Sequence, residues 1–507
     1  MSEHGSFTDE PSLFDDDETS SGESVVRIAS VAALGGLLFG YDSAVINGAV
    51  SAIQDQFSVG STVLGLAVAS VLLGAATGAM TAGRFADRFG RLFVMKVAAV
   101  LFLVSAFGAG LSPNLGVLVV FRVIGGLGVG AASVIAPAYI AEISPPRIRG
   151  RLGSLQQLAI VSGIFLSLLV DYLLANAAGG SRNVLALGQE AWRWMFIAMA
   201  IPALAYGLLA LTIPESPRYL VARHRIPEAR KVLTALLGEK NLEITVDRIQ
   251  RTLSQEKPPA WSDLKRSGTG LLPIVWVGLA LSVFQQAVGI NVIFYYSNVL
   301  WEAVGFSESS AFTITVITSV VNIATTLIAI ALVDRIGRKP LLLIGSSGMA
   351  VTLAVMAAIF GTTPIGPDGS PHLTGAAGPL ALLAANLFVV FFGMSWGPVV
   401  WVLLGEMFPN RIRAAALSLA AAGQWVANWV ITLTFPPLKD ISLGLAYGIY
   451  ATFAVVSFLF VARWVRETKG VQLEDMKGDL NATDRVRDIG DSGDRGTDLG
   501  KDAAPAG

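Results

Sequence analysis

The stretch GRFADRFGR, residues 83 to 91, ends in a motif that recurs as DRIGR at residues 334 to 338. A second pair follows in the same order, with EISPPRIR at 142 to 149 and EMFPNRIR at 406 to 413. PESPR at 214 to 218 and RETKG at 466 to 470 form a weaker third pair. Because internal self-similarity is typical of duplicated structure, these pairs predict a chain made of two related halves.

The composition predicts a membrane protein. Of the 507 residues, 53% are hydrophobic and only 14% are charged, whereas a soluble protein has about a quarter charged residues. The apolar residues form runs of about 20, enough for a helix to cross a hydrocarbon core of about 30 Å. The twelve predicted spans cover residues 27–50, 61–83, 92–111, 115–141, 152–177, 193–213, 271–299, 308–333, 340–361, 378–405, 413–435 and 443–464.

The repeats divide these spans into two groups, because the first copies fall among spans one to six and the second copies among spans seven to twelve. We therefore predict an all-α membrane protein with six-helix halves at 25–213 and 271–465, joined by short amphipathic helices at 214–270. Residues 1–24 and 466–507 are predicted to be polar tails. Parallel halves with a substrate site between them are typical of major facilitator transporters.

The distribution of basic residues predicts the orientation. Arginines are concentrated in the loops that carry the repeated motifs and are scarce in the loops at the other ends of the helices. The positive-inside rule then places both termini in the cytoplasm of a multi-pass protein of the inner cell membrane. The acidic first 24 residues lack the basic region of a cleavable signal peptide. Zero cysteines exclude disulfides and thiolate metal sites.

The repeated loops also contain acidic residues, which the positive-inside rule does not explain. An Asp or Glu beside Arg in both halves can form ion-pair networks that hold the cytoplasmic side shut and break when it opens. Exposed pairs alone would be weak, so we expect the networks to act by differing between conformations. The candidate gating residues are Arg84, Asp87, Arg88, Arg91, Glu142, Arg149, Glu215, Arg218, Asp334, Arg335, Arg338, Glu406, Arg413 and Glu467.

Several motifs together resemble the sugar porter family of the major facilitator superfamily: GRFADRFGR, PESPR, FQQAVGINVIFYYS, DRIGRKP, GPVVWVLLGEMFPNRIR and RETKG. SWGPVVWVLLGEMFPNRIR and GQWVANW are most similar to its bacterial proton/xylose symporters. The resemblance covers about residues 28 to 475 and departs at Arg466, where the family usually has Pro. It implies a monomeric sugar transporter in the lipid bilayer, not an enzyme, with no cofactor, metal or nucleic acid.

Polar residues inside span seven indicate the chemical class of the transported substrate. Gln285, Gln286, Asn291 and Tyr295 lie in an otherwise apolar run, and neutral amides can both donate to and accept from sugar hydroxyls. Gln285 and Asn291 would not share a face of an ideal helix, so we expect a break at Gly289, as in other midplane transporter sites. Hydrogen bonding between helices is the alternative role for each amide.

Other spans add Gln157, Asn322, Gln424 and Asn428, so the amides favour a polyol over an ion or an amino acid. Gly397 and Pro398 can break span ten next to Trp401, and mid-span Trp rings can pack on the C–H faces of a sugar. The resemblance implies that Phe39 and Tyr295 line the pocket or its outer gate. It also implies these sugar contacts: Gln157, Gln285, Gln286, Asn291, Asn322, Trp401, Gln424 and Trp425.

Asp42 and Arg122 are the charged residues expected deepest in the membrane. An Asp held ionised by an Arg releases that Arg when it is protonated, so the pair could couple proton binding to a conformational change; a structural ion pair is the alternative. The resemblance favours coupling, because facilitative carriers of the family usually have Asn at this position. We therefore predict proton symport, with a uniporter or a sugar sensor as alternatives. The sugar stays open among xylose, glucose, galactose, arabinose and an inositol.

Overall fold

The computed structural model describes residues 19–144, 149–237, 242–255, 264, 270–364, 372–409 and 412–469. Within these ranges, 12 helices are long and apolar enough to cross a membrane, which confirms the predicted number of spans. Residues 1–18 and 470–507, most of the two predicted tails, lie outside this description.

The first half contains spans at Val25–Gln56, Ser61–Phe89, Arg91–Gly110, Leu115–Ile143, Leu152–Ala178 and Ala191–Leu209. Its helices are α1 (Thr19–Ala44), α2 (Ile46–Gln56), α3 (Ser61–Phe89), α4 (Arg91–Gly110), α5 (Leu115–Ile143), α6 (Arg149–Ala178), α7 (Ala191–Ala198) and α8 (Ala200–Leu209). A short antiparallel hairpin, β1 (Val184–Ala186) and β2 (Gln189–Glu190), precedes α7 and was not predicted. Leu187 and Gly188 at its turn both have positive φ, the backbone of the tight turns that suit hairpins.

The second half contains spans at Pro273–Tyr295, Glu308–Val333, Arg338–Gly361, Ala377–Met407, Ala415–Ile441 and Leu443–Trp464. Its helices are α12 (Pro273–Ala287), α13 (Ile290–Tyr295), α14 (Ser297–Ala303), α15 (Glu308–Ile336), α16 (Arg338–Gly361), α17 (Ala377–Gly393), α18 (Trp396–Met407), α19 (Arg413–Ile441) and α20 (Leu443–Trp464). Between the halves lie α9 (Pro217–Ala222), α10 (Ile226–Leu237) and α11 (Leu242–Gln255). The first two pack through a small apolar cluster, as expected of amphipathic helices.

Two breaks interrupt the spans that carry the predicted site. The break at Gly289 is confirmed: α12 ends at Ala287, and Gly289 has a φ of 83°, which a residue with a side chain rarely adopts. The break in span ten falls at Met394 and Ser395, not at Gly397 and Pro398 as predicted. Pro398 instead lies in the first turn of α18, where its missing N–H would have had no helical partner.

Glycines let the helices of the first half approach closely. A Cβ on Gly40 would lie 2.0 Å from the carbonyl oxygen of Ile160, so α1 and α6 touch backbone to backbone. Gly163 approaches the carbonyl oxygen of Leu37 in the same way, at 2.0 Å. A Cβ on Gly48 would lie 2.7 Å from the Asp171 carboxyl. Glycines therefore let span one pack closely against span five.

The two ends of the bundle differ in how the halves meet. We call the end with the repeated arginine loops the basic side, and the end with the hairpin the opposite side. Hydrogen bonds between the halves lie towards the opposite side: Asn47 Nδ2 donates to the Phe294 carbonyl (3.1 Å), and the Asn298 N–H donates to Asn47 Oδ1 (3.0 Å). Ser51 Oγ donates to Glu302 Oε2 at 3.2 Å one turn further out. The halves are therefore latched together at the opposite side.

Candidate functional site

The amides of the seventh span form a connected cluster around the break. Gln285 Nε2 donates to the carbonyl oxygens of Trp396 (2.8 Å) and Gly397 (3.0 Å), which fixes α12 against the start of α18. Gln286 Nε2 donates to Gln285 Oε1 at 3.4 Å, and Asn291 Nδ2 donates to Gln286 Oε1. The break at Gly289 brings Asn291 back to the face of Gln286, so the structure unites three of the predicted sugar contacts.

An aromatic pair joins the two halves. Phe39 on α1 and Trp425 on α19 have ring centroids 5.8 Å apart. Gln424 precedes Trp425, and its Oε1 is buried with no hydrogen-bond partner among the described residues. That oxygen is a free acceptor next to an aromatic surface, the combination that a sugar hydroxyl and its C–H face require.

The other predicted sugar contacts are more scattered. Asn322 on α15 is buried, and Gln157 on α6 is half-buried. Trp401 is 40% exposed, although it lies within its span. The structure therefore supports Trp401 least among the predicted contacts, and its contact with sugar stays a prediction.

Asp42 and Arg122 form the predicted ion pair at the centre of the first half. Both side chains are fully buried; Arg122 Nη1 donates to Asp42 Oδ1 at 3.1 Å and to the Asp42 carbonyl oxygen at 2.8 Å. Arg122 also lies over the Phe196 ring, 5.8 Å from its centroid. Within the described part of the chain, Asp42 Oδ2 and Arg122 Nε and Nη2 have no hydrogen-bond partner. The pair thus keeps an open acceptor and open donors in a buried place.

Gly125 creates the space beside this open acceptor. A Cβ at Gly125 would lie 2.5 Å from Asp42 Oδ2 and 2.4 Å from Ser105 Oγ. Tyr295 on α13 interacts with Ser43, the residue after Asp42, and with Asn428 on α19. One phenol therefore connects the helix of the ion pair to two helices of the second half.

On the basic side, the first half closes its own ion cluster. Arg91 holds Glu142 with two hydrogen bonds, at 3.1 and 2.9 Å, and pairs with Asp87 at 3.2 Å. Glu215 accepts from the backbone N–H groups of Arg91 (3.0 Å) and Leu92 (3.2 Å) at the start of α4. These residues come from three separate loops of the first half.

The second half repeats this cluster. Arg338 holds Glu406 with two hydrogen bonds, at 3.0 and 2.7 Å. Glu467 accepts from the backbone N–H groups of Arg338 (3.0 Å) and Lys339 (2.9 Å). Partial burial alone would raise the pKa of Glu467, but its backbone N–H donors, with Thr468 among them, lower it. The third and weakest sequence repeat therefore has a matching structural role in each half.

The remaining candidate gating residues are less clearly placed. Arg84, Arg88 and Arg335 are exposed, and Arg413 Nε donates to the carbonyl oxygen of Phe408 at 3.2 Å. Arg218 lies in the first turn of α9 and is half-buried. The side chains of Arg149 and Asp334 lie outside the described part of the structure. Among the described residues, the ion pairs Arg91–Asp87, Arg91–Glu142 and Arg338–Glu406 of the basic side each stay within one half, so gating between the halves stays a prediction.

Sequence reasoning missed several polar residues of the interior. Asn47 joins the halves through backbone groups, which give no sequence signal. Asp171 is fully buried and lies against Gly48 of α2. The Gln156 amide is likewise buried without a described partner. The amide beside Gln157 could have been flagged by its residue type alone.

The molecule is a membrane transporter: two related six-helix halves enclose amides and aromatic rings, with a buried acid–base pair beside them. The chain belongs to the Sugar (and other) transporter family, whose model matches residues 28–480. It is therefore a sugar porter and not an enzyme, as predicted.

Individual relatives agree with this assignment. The chain is 56% identical to the glucose transport protein of Synechocystis sp. over 468 residues, 92% of this chain and 100% of that one. It is 38% identical to the D-xylose-proton symporter of Escherichia coli K12 over 487 residues, 89% of this chain and 95% of that one. An inward-open structure of the E. coli xylose transporter matches with a TM-score of 0.75 and 37% identity, over 89% of this chain and 99% of that one. The predicted major facilitator fold is confirmed.

Proposed function

We propose that this protein imports a monosaccharide, glucose or xylose, together with a proton. The observation that carries the proposal is the buried Asp42–Arg122 pair, which has an unused carboxylate oxygen and lies one residue from the Tyr295 contact. The names of the relatives support both the sugar and the proton coupling, since one relative is a glucose transport protein and another a D-xylose-proton symporter. The proposed orientation puts the basic side and both termini in the cytoplasm, as the positive-inside rule requires.

The sugar would bind between the halves. The amides of Gln286 and Asn291 present donors and acceptors to sugar hydroxyls, and Gln424 Oε1 offers an acceptor that the protein leaves unused. The Phe39–Trp425 pair would pack on the ring. Because one of these aromatics comes from each half, a bound sugar would change how the two halves meet.

The proton would act on the ion pair. Protonating Asp42 removes the negative charge that Arg122 faces, and a buried Arg that loses its partner must find new acceptors. Helices α1 and α5 would then prefer a different packing, which Tyr295 would pass to α13 and α19. Proton and sugar would thus favour the same conformational change.

The ion clusters of the basic side would gate the cytoplasmic end. In the latched structure each cluster is complete within its own half. Closing the basic side would bring the two clusters together and open the opposite side, which is the alternating access proposed for these residues.

Active accumulation in proteoliposomes tests the proposal. One proton moving down about 100 mV supplies about 2.3 kcal/mol, which supports roughly 50-fold sugar accumulation at about 1.4 kcal/mol per decade. We expect the wild-type protein to accumulate labelled glucose or xylose and to alkalinise the outside on sugar addition. An uncoupler should abolish both effects.

The variant Asp42→Asn separates coupling from transport. We expect it to exchange labelled for unlabelled sugar but to lose accumulation and alkalinisation. Asp247→Asn, at an exposed position of α11, is the matched control and should behave as wild type. Full accumulation by Asp42→Asn would show that this carboxylate is structural and the protein a uniporter or otherwise coupled.

A further inference from the structure

Four ionisable side chains meet at the opposite side, where the halves are latched. Asp55 on α2 and Arg182 in the loop before the hairpin belong to the first half; Glu302 on α14 and Glu308 at the start of α15 belong to the second. Three carboxylates thus share a single guanidinium within the described part of this interface. This cluster has no role in the proposed sugar site or in the Asp42–Arg122 pair.

The three carboxylates of the cluster have different partners. Arg182 Nη1 is 2.6 Å from Asp55 Oδ2, so the one cation is engaged within its own half. Glu308 Oε1 accepts from the Ser181 backbone N–H at 3.0 Å and from its hydroxyl. Glu302 Oε2 accepts at 3.2 Å from the neutral hydroxyl of Ser51. Glu302 therefore has one described hydrogen bond across the interface, from a neutral hydroxyl, whereas Glu308 has two.

The environment of Glu302 disfavours its charge. Glu302 lies outside the spans Pro273–Tyr295 and Glu308–Val333. Burial raises the pKa of Glu302 to about 7; Glu308 and Asp55 raise it further, while the Ser51 hydrogen bond and Arg182 oppose the rise. A carboxyl in this position is therefore neutral in mildly acidic medium and charged in alkaline medium.

We propose that Glu302 is a second proton-binding site, one that takes up a proton from the external medium when the opposite side closes. External acid would then favour the closed, latched form, because that form buries Glu302 beside Glu308 and Asp55. This inference depends on alternating access and on the proposed orientation, but not on Asp42 as the coupling site. Asp42 and Glu302 would therefore bind protons at different steps of the transport cycle.

The size and sign of the effect follow from linkage. In the latched form the pKa is about 7, and a Glu302 released into water would return to its ordinary value of 4.5. The stabilisation of the closed form is then fully present below pH 4.5 and is lost as pH rises through about 7. Between about pH 8 and about pH 5.5, the ratio of closed to open form should rise about 30-fold.

Spin labels can measure this ratio directly, because the chain contains no cysteine. Gly60 in the first half has open space around its Cβ position, and Ser309 in the second half is exposed. Labels on Gly60→Cys and Ser309→Cys report the separation of the halves at the opposite side by electron spin resonance. In lipid nanodiscs the short-distance population should grow as pH falls from about 8 to about 5.5.

The variant Glu302→Gln is the decisive comparison. A permanently neutral amide should keep the short-distance population high at both pH values and reduce the 30-fold change to less than about 3-fold. Glu228→Gln, at an exposed glutamate of α10 that pairs with Arg225, is the matched control and should retain the full change.

An unchanged pH response in Glu302→Gln would overturn the proposal, as would a response that disappears in Asp42→Asn while Glu302→Gln retains it. Failure of symport would be recognised separately, because it would abolish sugar-driven alkalinisation without flattening the distance change. The reverse result, normal alkalinisation with no pH-dependent distance change, would overturn the Glu302 site alone.

Discussion

Asn47 should control the equilibrium between the latched form and the form open at the opposite side. Its side chain makes two buried hydrogen bonds to the second half, with the Phe294 carbonyl at 3.1 Å and the Asn298 N–H at 3.0 Å. Each such bond contributes about 0.5–1.5 kcal/mol net. Because the freed groups reach water when the halves separate, Asn47→Ala should weaken the latched form by about 1–3 kcal/mol, or about 5- to 150-fold.

The assay is the distance between spin labels at Gly60→Cys and Ser309→Cys, measured at one fixed pH. We expect Asn47→Ala to shift population from the short to the long distance. The apparent affinity for sugar added on the opposite side should rise at the same time, because more molecules are open there. Maximal uptake should fall, since closure becomes the costly step.

The matched control is Asn386→Ala, which removes an amide that bonds to Leu382 within its own helix. It should leave the distance distribution unchanged, even if stability falls. A distance distribution in Asn47→Ala identical to that of wild type would refute the reasoning. It would mean that the cross-half hydrogen bonds are replaced at no cost when the residue is lost.

Three further outcomes are expected. Gly40→Ala places a Cβ 2.0 Å from the Ile160 carbonyl oxygen and should cost about 1–3 kcal/mol, seen as a lower melting temperature, whereas Gly83→Ala, with no atom within 4 Å of its Cβ, should not. Glu467 has a lowered pKa in the fold, so its stabilisation is present above the ordinary carboxyl pKa and is lost as pH falls through the lowered one. Glu467→Gln should therefore melt at a temperature that depends less on acid pH. Trp425→Ala should weaken sugar binding about 2- to 12-fold, the loss of one aromatic contact of about 0.5–1.5 kcal/mol, in a titration of binding affinity; an unaltered affinity would remove Trp425 from the site.

The sequence predicted best those features that depend on local residue type. Gly289 marks its own helix break, because a positive φ is readily adopted only by glycine. Asp42 and Arg122 could be paired in advance, because two deep charges in one half must find each other. The repeated loops predicted the two ion clusters, including the weak third repeat that supplies Glu215 and Glu467.

Features that depend on distant backbone could not be predicted in this way. The partners of Asn47 are main-chain groups of the second half. Every residue type has such a carbonyl, and every type but proline has such an N–H, so the sequence does not mark them. Residue type predicted the break in span ten at Gly397 and Pro398. The structure has it before them in the chain, at Met394 and Ser395, because Pro398 is tolerated in the first turn of a helix. The Glu302 environment required knowing which loops meet across the interface.

The matched clusters also bear on the ancestry of the fold. Each half has its own glycine turn, Gly90 with φ 102° and Gly337 with φ 103°, and its own arginine held by two glutamates. A chain of half this length would already have carried that arrangement, and two copies facing one another would reproduce the basic side. The Asp42–Arg122 pair belongs to the first half. The arginine clusters that hold the helices in place are thus shared by the two halves, whereas the buried Asp–Arg pair belongs to one half alone.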